Sequence, residues 1–233
     1  MCNAACIDFV ARVVVQSDVE GKRILEVGAM DVNGSARQVI TRFRPTSYVG
    51  VDIQPGPGVD ELCNANDLVD RFGQSSVDVV IATELIEHVR EWRRVIGSLL
   101  DVLRPDGVLV ITTRSLGYPF HGAPFDFWRY EPEDIEAIFR DMVVERLERD
   151  PLMPGVFAKV RKPCDLHAVR LPEISLYSMI SERRVRRTTQ VRFLIHRIRH
   201  LSIRRDKILT LGKETLPPPF RRWLKRKLGR AAK

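Results

Sequence analysis

The sequence predicts an α/β fold in which a doubly wound, mostly parallel sheet carries helices on both faces. Short apolar runs alternate with segments of helical periodicity along the first 160 residues. The strand-like runs lie at 23–27, 47–53, 77–83 and 108–113, and the helical patterns at 4–15, 34–43, 84–103 and 132–140. Two alternating runs at 142–148 and 155–161 predict an antiparallel pair that closes the sheet. We therefore expect a Rossmann-like, seven-stranded sheet, followed by a basic helical C-terminal extension.

Charge divides the chain into two parts. Residues 1–160 contain 17 Lys and Arg against 25 Asp and Glu, whereas residues 161–233 contain 21 against 5. We therefore expect one globular domain over residues 1–162 and a separate basic extension over 163–233. The four cysteines have no C-x-x-C spacing and predict free thiols. Because no secretory pattern and no apolar run of about 18–20 residues is found, we expect a cytoplasmic protein, or one peripheral to the inner membrane surface.

The turn after the first strand has the spacing of a nucleoside site. Gly28 and Gly34 give this turn backbone freedom, and Asp52 ends the second strand. A carboxylate there can accept hydrogen bonds from both ribose hydroxyls. A dinucleotide turn would need glycine where Met30 and Asn33 stand, so that a pyrophosphate could approach. The turn therefore predicts a nucleoside ligand without a pyrophosphate.

Acidic residues around this turn favour a cationic ligand. Glu26 lies two residues before Gly28, and Asp31 lies inside the turn. Both carboxylates would repel a phosphate and attract a sulfonium cation. The methionine end of S-adenosylmethionine fits this charge better than any phosphate does.

Five segments together resemble the motifs of the class I, S-adenosylmethionine-dependent methyltransferase superfamily over residues 20–162. They read LEVGAMDVNGS, YVGVDIQPGPGVD, LCNANDL, VDVVIATELIEHV and LLDVLRPDGVLVITT. The first lacks the second glycine of the family motif, and Asn64 stands where relatives often have Asp. The resemblance implies S-adenosylmethionine as the cofactor. It also implies that the methionine part of the cofactor contacts Glu26, Gly28, Ala29 and the Gly34 loop, and that the ribose binds to Asp52. By the same resemblance, the adenine contacts Ile53, Asn64 and Ala65, and the methyl group lies beside Thr83 and Glu84.

The loop after the fifth predicted strand holds the candidates for the acceptor side. Its sequence HGAPFDFWRY resembles the His-x-x-Pro-x-Asp-Phe-x-Arg-Tyr signature of bacterial, type 11-like methyltransferases that are often linked to cell-surface polysaccharide. His121 is a candidate general base, because imidazole titrates near neutral pH. The alternative is a histidine that only shapes the loop. Asp126 is a second catalytic candidate, although its spacing from Arg129 also fits an ion pair that holds the loop in place.

A third cluster, Glu84, Glu87 and His88, has the spacing of one helix face. It resembles the magnesium-binding segment of small-RNA 2′-O-methyltransferases and ubiquinone-pathway O-methyltransferases, where a further histidine, here His121, helps. Acidic residues at a helix N-terminus are also favoured by the helix dipole alone. The sequence leaves the metal undecided, and Glu84 is a catalytic candidate on this pattern.

The basic extension contains two predicted amphipathic segments. If residues 182–209 are helical, their apolar side chains form one stripe among arginines. In residues 217–233, Phe220 and Trp223 lie on an apolar face opposite a row of cations. Such faces favour an anionic membrane surface as the partner of residues 182–230. Nucleic acid is the less favoured partner, and packing on the globular domain is the third alternative.

These patterns predict an enzyme that O-methylates a sugar or a lipid-linked, cell-surface glycan, with a small molecule or glycan as acceptor. Two alternatives remain. One is an RNA methyltransferase whose basic extension holds the RNA, and the other is a non-catalytic, cofactor-binding partner subunit.

Overall fold

The computed structural model describes residues 3–121, 125–166 and 170–189. Its strands are β1 Arg23–Val27, β2 Ser47–Asp52, β3 Glu61–Leu62, β4 Val77–Thr83, β5 Leu103–Arg114, β6 Trp128–Arg129, β7 Val143–Arg149, β8 Gly155–Arg161, β9 Leu176–Ser178 and β10 Arg183–Val185. Its helices are α1 Ala4–Val13, α2 Gln16–Val19, α3 Arg37–Ile40, α4 Leu68–Phe72, α5 Trp92–Val102 and α6 Pro132–Ile138. Single 3-10 turns lie at Thr41–Phe43 and Ile86–His88.

Seven strands form one sheet in the order β3-β2-β1-β4-β5-β8-β7. The first five run parallel, so that Leu25 in β1 lies between Val49 in β2 and Val80 in β4. β8 runs antiparallel to β5, with Ile111 opposite Ala158, and β7 runs antiparallel to β8. The mostly parallel, seven-stranded sheet and its antiparallel closing pair are confirmed. The parallel order brings the carboxyl ends of β1, β2, β4 and β5 to one edge, where ligands bind in such sheets.

Both faces of the sheet are buried. On one face, α1, α2 and α3 pack over alternate residues of the central strands in a single apolar cluster. The rings of Phe9 in α1 and Phe157 in β8 lie 5.2 Å apart at their centroids. Alternation along the strands directs Leu25, Val80 and Leu109 to the opposite face, on the side of α4, α5 and α6. All three side chains are fully buried there. Helices on both faces are therefore confirmed.

Two predicted helices are shorter than expected. In the segment 34–43, only Arg37–Ile40 is α-helical, and a 3-10 turn then ends at Arg44, whose φ is 54°. In the segment 84–103, the helix begins only at Trp92. Glu84 instead takes a left-handed φ of 53°, and its N–H donates to Thr112 O at 2.9 Å. This bond holds Glu84 on the neighbouring strand and delays the helix.

The expected placement of Glu84, Glu87 and His88 on one face of a helix is therefore wrong. Glu84 lies in the left-handed bend after β4, while Glu87 and His88 lie in the 3-10 turn. Residues 104–107 lie inside the long strand β5, where the pairing register with β4 slips between Val77 and Val79.

Part of the expected basic extension belongs to the globular unit. The compact unit ends at Thr188 rather than at residue 162, because β9 pairs antiparallel with both β6 and β10 in a second, three-stranded sheet. The helix expected from residue 182 is wrong for Arg183–Val185, which form β10 after a bend at Glu182 with φ 50°. The remainder of both amphipathic segments, from residue 190 onward, lies outside the described residues.

Among the described cysteines, Cys6, Cys63 and Cys164 form no disulfide bond. Among the described residues, no helix is both long enough and apolar enough to cross a bilayer.

Candidate active site

The turn after β1 is tied to the end of β2. The N–H groups of Gly28 and Ala29 both donate to Val51 O, at 2.9 and 3.0 Å. Gly28 has a φ of 79°, and a Cβ there would lie 3.2 Å from Leu85 Cδ1. Farther along, Gly34 has a φ of 119°. These glycines allow the chain to leave the sheet closely above the carboxyl ends of β1 and β2, as the sequence predicts.

A charged layer supports this turn from below. Glu26 is 3% exposed, and its Oε2 accepts a 2.7 Å hydrogen bond from the Tyr48 hydroxyl. Burial raises the pKa of Glu26 to about 7, although the Tyr48 hydrogen bond and the charge of Arg37 act in the opposite direction. Arg37 stacks on the Tyr48 ring at 4.6 Å and pairs with Asp60. Glu26 is therefore buried beneath the turn, where the sequence predicts a residue that lines the methionine part.

Asp52 ends β2 at the edge of the sheet. Its carboxylate accepts from the N–H groups of Met30, at 3.4 Å, and Gln54, at 3.1 Å. These two contacts fix the carboxylate between the first and second strand ends, and Asp52 is only partly buried. Ile53 follows with 55% of its surface exposed. This arrangement offers a hydrogen-bond acceptor beside an open apolar side chain, as a ribose and an adenine need.

The segment after β3 carries the expected adenine-edge residues. Asn64 Oδ1 accepts from the backbone N–H of Asn66 at 2.9 Å and from its side-chain amide at 2.8 Å. Ala65 is buried. Asn64 therefore shapes its own turn, and the preceding residue is tied to the end of β2, because the N–H of Cys63 donates to Asp52 O at 2.9 Å.

Glu84, next to Thr83 at the end of β4, lies in a buried polar network. Its carboxylate pairs with Arg114 and accepts from the Thr112 hydroxyl at 3.1 Å. Arg114 also binds Asp150 at 3.0 Å. Burial, together with the negative charge of Glu87, raises the pKa of Glu84 well above its usual value. These fixed partners suit a positioning residue beneath the site, rather than a group that meets the acceptor.

Glu87, His88 and His121 converge beside this network. The Nε2 atoms of the two histidines lie 3.1 Å apart, and Glu87 Oε1 lies 3.9 Å from His88 Nε2. One ligand atom from each of the three residues lies within 4.8 Å of the others. Burial lowers the pKa of His88. The structure thus joins His121 to His88 and Glu87, while Glu84 belongs to the neighbouring ion-pair network.

Asp126 holds the His121 loop. Its Oδ2 lies 2.7 Å from Arg129 Nη2, 3.0 Å from His121 Nδ1 and 3.0 Å from the His121 backbone N. Burial alone would raise the pKa of Asp126, but its hydrogen bonds to Arg129 and His121 hold this pKa well below the usual range. Asp126 is an orienting residue for His121, and the ion pair with Arg129 is present as the spacing suggests.

Exposed apolar side chains lie on the loop that carries His121 and on the adjoining β7–β8 hairpin. We call them the apolar rim: Leu116, Phe120, Phe125, Leu152 and Met153, each between 37% and 68% exposed. The first three belong to the loop between β5 and β6. The other two belong to the β7–β8 hairpin. There, the carbonyl oxygen of Pro154 accepts a 3.3 Å hydrogen bond from the N–H of Ser115. Phe127 and Trp128, which follow Phe125 in the sequence, are buried.

Sequence reasoning missed the partners beneath the site. Tyr48, Arg37 and Asp60 support Glu26, and Arg114 neutralises Glu84. The available signal was Arg114, a cation that directly follows the run VLVITT. No pattern connects Tyr48 with Glu26, because their contact depends on the parallel register of β1 and β2.

Comparisons with known proteins identify this architecture. Residues 3–141 match the family described as "Methyltransferase domain". A phthiotriol/phenolphthiotriol dimycocerosates methyltransferase of Mycobacterium leprae (strain TN) is 30% identical over 118 residues, covering 46% of this chain and 43% of that protein. The protein of the same name from Mycobacterium tuberculosis (strain ATCC 25177 / H37Ra) is 31% identical over 116 residues, covering 45% of this chain and 42% of that protein. The match thus spans less than half the length of these relatives.

Solved structures share the fold at low sequence identity. The 1,6-didemethyltoxoflavin-N1-methyltransferase of Burkholderia thailandensis, with S-adenosylhomocysteine bound, has a TM-score of 0.57 and 14% identity, covering 68% of this chain and 79% of its own. An S-adenosylmethionine-dependent methyltransferase of Mesorhizobium loti has a TM-score of 0.50 and 15% identity, covering 68% of this chain and 98% of its own. With the family match over more than half of its length, the chain belongs to the class I, S-adenosylmethionine-dependent methyltransferases.

Proposed function

We propose that this protein transfers the methyl group of S-adenosylmethionine to a hydroxyl oxygen of a lipid-linked acceptor, such as a lipid-linked glycan. The observation that carries this proposal is the apolar rim on the His121 loop and the adjoining β7–β8 hairpin. Soluble surfaces scatter single apolar residues, but five on two adjoining loops form a patch of the kind that binds apolar ligands. The names of the mycobacterial relatives, which describe methyltransferases of dimycocerosate lipids, support a lipid acceptor.

The cofactor would bind along the carboxyl ends of β1, β2 and β4. Asp52 would hold the ribose hydroxyls, Ile53 would pack on the adenine, and the turn at Gly28 and Ala29 would face the methionine part. Glu26 would support this turn from below through Tyr48. Thr83, at the end of β4, would then face the transferred methyl group.

The acceptor hydroxyl would approach from the side of His121. The hydroxyl oxygen attacks the methyl carbon as the carbon–sulfur bond breaks, and the hydroxyl proton passes to His121 Nε2. The products are a methyl ether, S-adenosylhomocysteine and a proton. Asp126 acts as a positioning residue, because an ionised carboxylate at Nδ1 keeps the proton of the neutral ring there and leaves the Nε2 lone pair free to accept. Positioning of the two reactants and exclusion of water supply the remaining acceleration.

The test is transfer of labelled methyl from S-adenosylmethionine to separated lipid, glycan, RNA and protein fractions of a cell extract. We expect label in the lipid fraction, in a form that resists alkali as an ether does. Asp52→Ala, which should weaken cofactor binding by roughly 1–3 kcal/mol, must lose label in parallel. Label in RNA would instead favour an RNA methyltransferase. Absence of label in every fraction, with tight cofactor binding, would favour a non-catalytic partner subunit.

A further inference from the structure

The ring nitrogens of His88 and His121 have defined protonation patterns. His88 Nδ1 contacts the carbonyl oxygen of Phe125, which can only accept a hydrogen bond. His121 Nδ1 lies 3.0 Å from Asp126 Oδ2, and that carboxylate is paired with Arg129. Each neutral ring therefore carries its proton on Nδ1. Both Nε2 atoms are then acceptors, and they face each other at 3.1 Å.

A third acceptor points into the same space. Glu87 is fully buried, and its Oε2 accepts a 2.8 Å hydrogen bond from the Thr113 hydroxyl. Its Oε1 is buried and has no hydrogen-bond partner among the described residues. Leaving a buried carboxylate oxygen and two imidazole lone pairs together without a donor is costly. A cation bound between them would satisfy all three acceptors at once.

We propose that Glu87 Oε1, His88 Nε2 and His121 Nε2 bind a divalent transition-metal ion of the zinc type. Two imidazole nitrogens and one carboxylate oxygen form a ligand set that suits such an ion, whereas magnesium prefers oxygen ligands. Tetrahedral Zn²⁺ with bonds of about 2.0–2.1 Å separates its ligand atoms by about 3.4 Å. The observed 3.1 and 3.9 Å lie within a side-chain adjustment of that spacing.

The residues around the three ligands already have the arrangement of an outer shell. Histidine ligands usually donate their other ring N–H to a carbonyl or a carboxylate, as His88 does to Phe125 and His121 to Asp126. Thr113 orients the carboxylate of Glu87. Both histidine side chains keep slightly more than a tenth of their surface exposed, so an ion has access from solvent.

The ion would alter how the acceptor is activated, and this step alone rests on the proposed function. A three-ligand site leaves a position open, and a hydroxyl bound there has its pKa lowered as metal-bound water does. His121 would then serve as a ligand, the hydroxyl proton would leave to solvent, and the resulting alkoxide would take the methyl group. Metal binding itself needs neither the acceptor nor the cofactor.

The test is calorimetric titration of the chelator-treated, full-length protein with Zn²⁺ alone. We expect one ion per chain. His88→Gln, His121→Gln and Glu87→Gln should each weaken binding by more than the roughly 10–100-fold that loss of an outer-shell partner costs. Matched controls are Glu91→Gln, whose side chain is 56% exposed nearby, and His167→Gln, which lies outside the described residues; both should bind as the parent does.

A second measurement needs no variant and so does not depend on whether the variants fold. In the unmodified protein, paramagnetic Co²⁺ should displace the imidazole NMR signals of two of the five histidines and show no thiolate charge-transfer band. Binding of less than one ion, affinity equal in all variants, or a cysteine-ligated ion would overturn the proposal. S-adenosylhomocysteine titrated into the same samples reports separately on the cofactor site.

Discussion

Two buried carboxylates near the active site experience opposite environments. Burial raises the pKa of Glu26 to about 7, because its Tyr48 partner is neutral and offers a single hydrogen bond. Asp126 is equally buried, yet the charged hydrogen bonds of Arg129 lower its pKa. Near neutral pH, Glu26 therefore exchanges its proton while Asp126 stays ionised. The turn after β1 thus rests on a group that is sensitive to pH near neutrality, and the His121 loop rests on one that is not.

Glu26→Gln should flatten the pH dependence of stability between pH 5 and 8. A carboxyl whose pKa in the folded protein lies above its usual value binds its proton more tightly when folded. Its contribution is therefore fully present at low pH and is lost as the pH rises through about 7. At 1.36 kcal/mol per pKa unit, the loss amounts to at most about 3 kcal/mol. Urea unfolding at both pH values measures it, with exposed Glu91→Gln as control. If the free energy of unfolding changed equally between pH 5 and 8 in the parent and in Glu26→Gln, the raised pKa of Glu26 would be refuted.

At this scale, sequence reasoning could locate strand-end residues but not their partners. Asp52 and Glu26 were identifiable, because their positions follow from where two buried strands end. The partners of Glu84 were not, because Cys6 and Arg114 reach it from segments 78 and 30 residues away only after the sheet has formed. The partners of a residue therefore could not be predicted where tertiary contacts decide them, as for Glu84, whereas its position could be predicted where the end of a strand decides it.

Among the elements, the strands of the large sheet were the most predictable. β1, β4 and β8 have the bounds that their apolar runs indicate. The small sheet was not predictable, because β6 has two residues and β9 and β10 three each, too few for any period to show. The start of α5 was also missed, since one backbone bond from Glu84 to β5 overrides a continuous helical pattern.

Arg93 in α5 holds the segment that contains the small sheet. Its guanidinium donates to the carbonyl oxygens of Pro172, at 3.2 Å, Ile174, at 2.9 Å, and Arg186, at 3.2 Å. It also stacks on Trp92 at 4.5 Å. One side chain thus connects three points of the segment to a helix of the catalytic fold.

Arg93→Ala should release this segment while the large sheet stays folded. We expect about 1–3 kcal/mol less local stability, because three carbonyl groups lose a charged donor. Hydrogen exchange in β9 and β10, or tryptic cleavage after Arg183, measures the change. Arg94→Ala is the matched control, since that neighbouring side chain is 68% exposed and only reaches Asp67 at 3.6 Å. Equal protection in both variants would show that Arg93 does not hold the segment.

For the whole molecule, the division of charge remains the largest unexplained feature. The excess of cations lies beyond residue 160, and most of it beyond the described residues. We propose that this extension holds the enzyme at an anionic membrane surface, where lipid-linked acceptors are presented. Cations alone would also bind RNA, but docking on a membrane additionally needs the apolar side chains of residues 217–233.

Phe220→Ser combined with Trp223→Ser should abolish co-sedimentation of the full chain with anionic vesicles and leave RNA binding nearly unchanged. Replacement of neighbouring cations should weaken both, by about 1 kcal/mol per charge at the membrane. Fluorescence of Trp223 should shift to the blue on vesicles, against a constant signal from buried Trp92 and Trp128. Tight, salt-sensitive RNA binding without any such shift would favour an RNA acceptor.

We propose that one edge of the sheet holds two adjoining sites, one for S-adenosylmethionine and one, at His121, for the acceptor. Turnover and S-adenosylhomocysteine affinity measured side by side for His121→Gln test it most directly. Loss of a group that activates the acceptor should lower kcat by about 100-fold or more while cofactor affinity stays within twofold of the parent. Full turnover in His121→Gln, or a loss confined to cofactor affinity, would contradict the account.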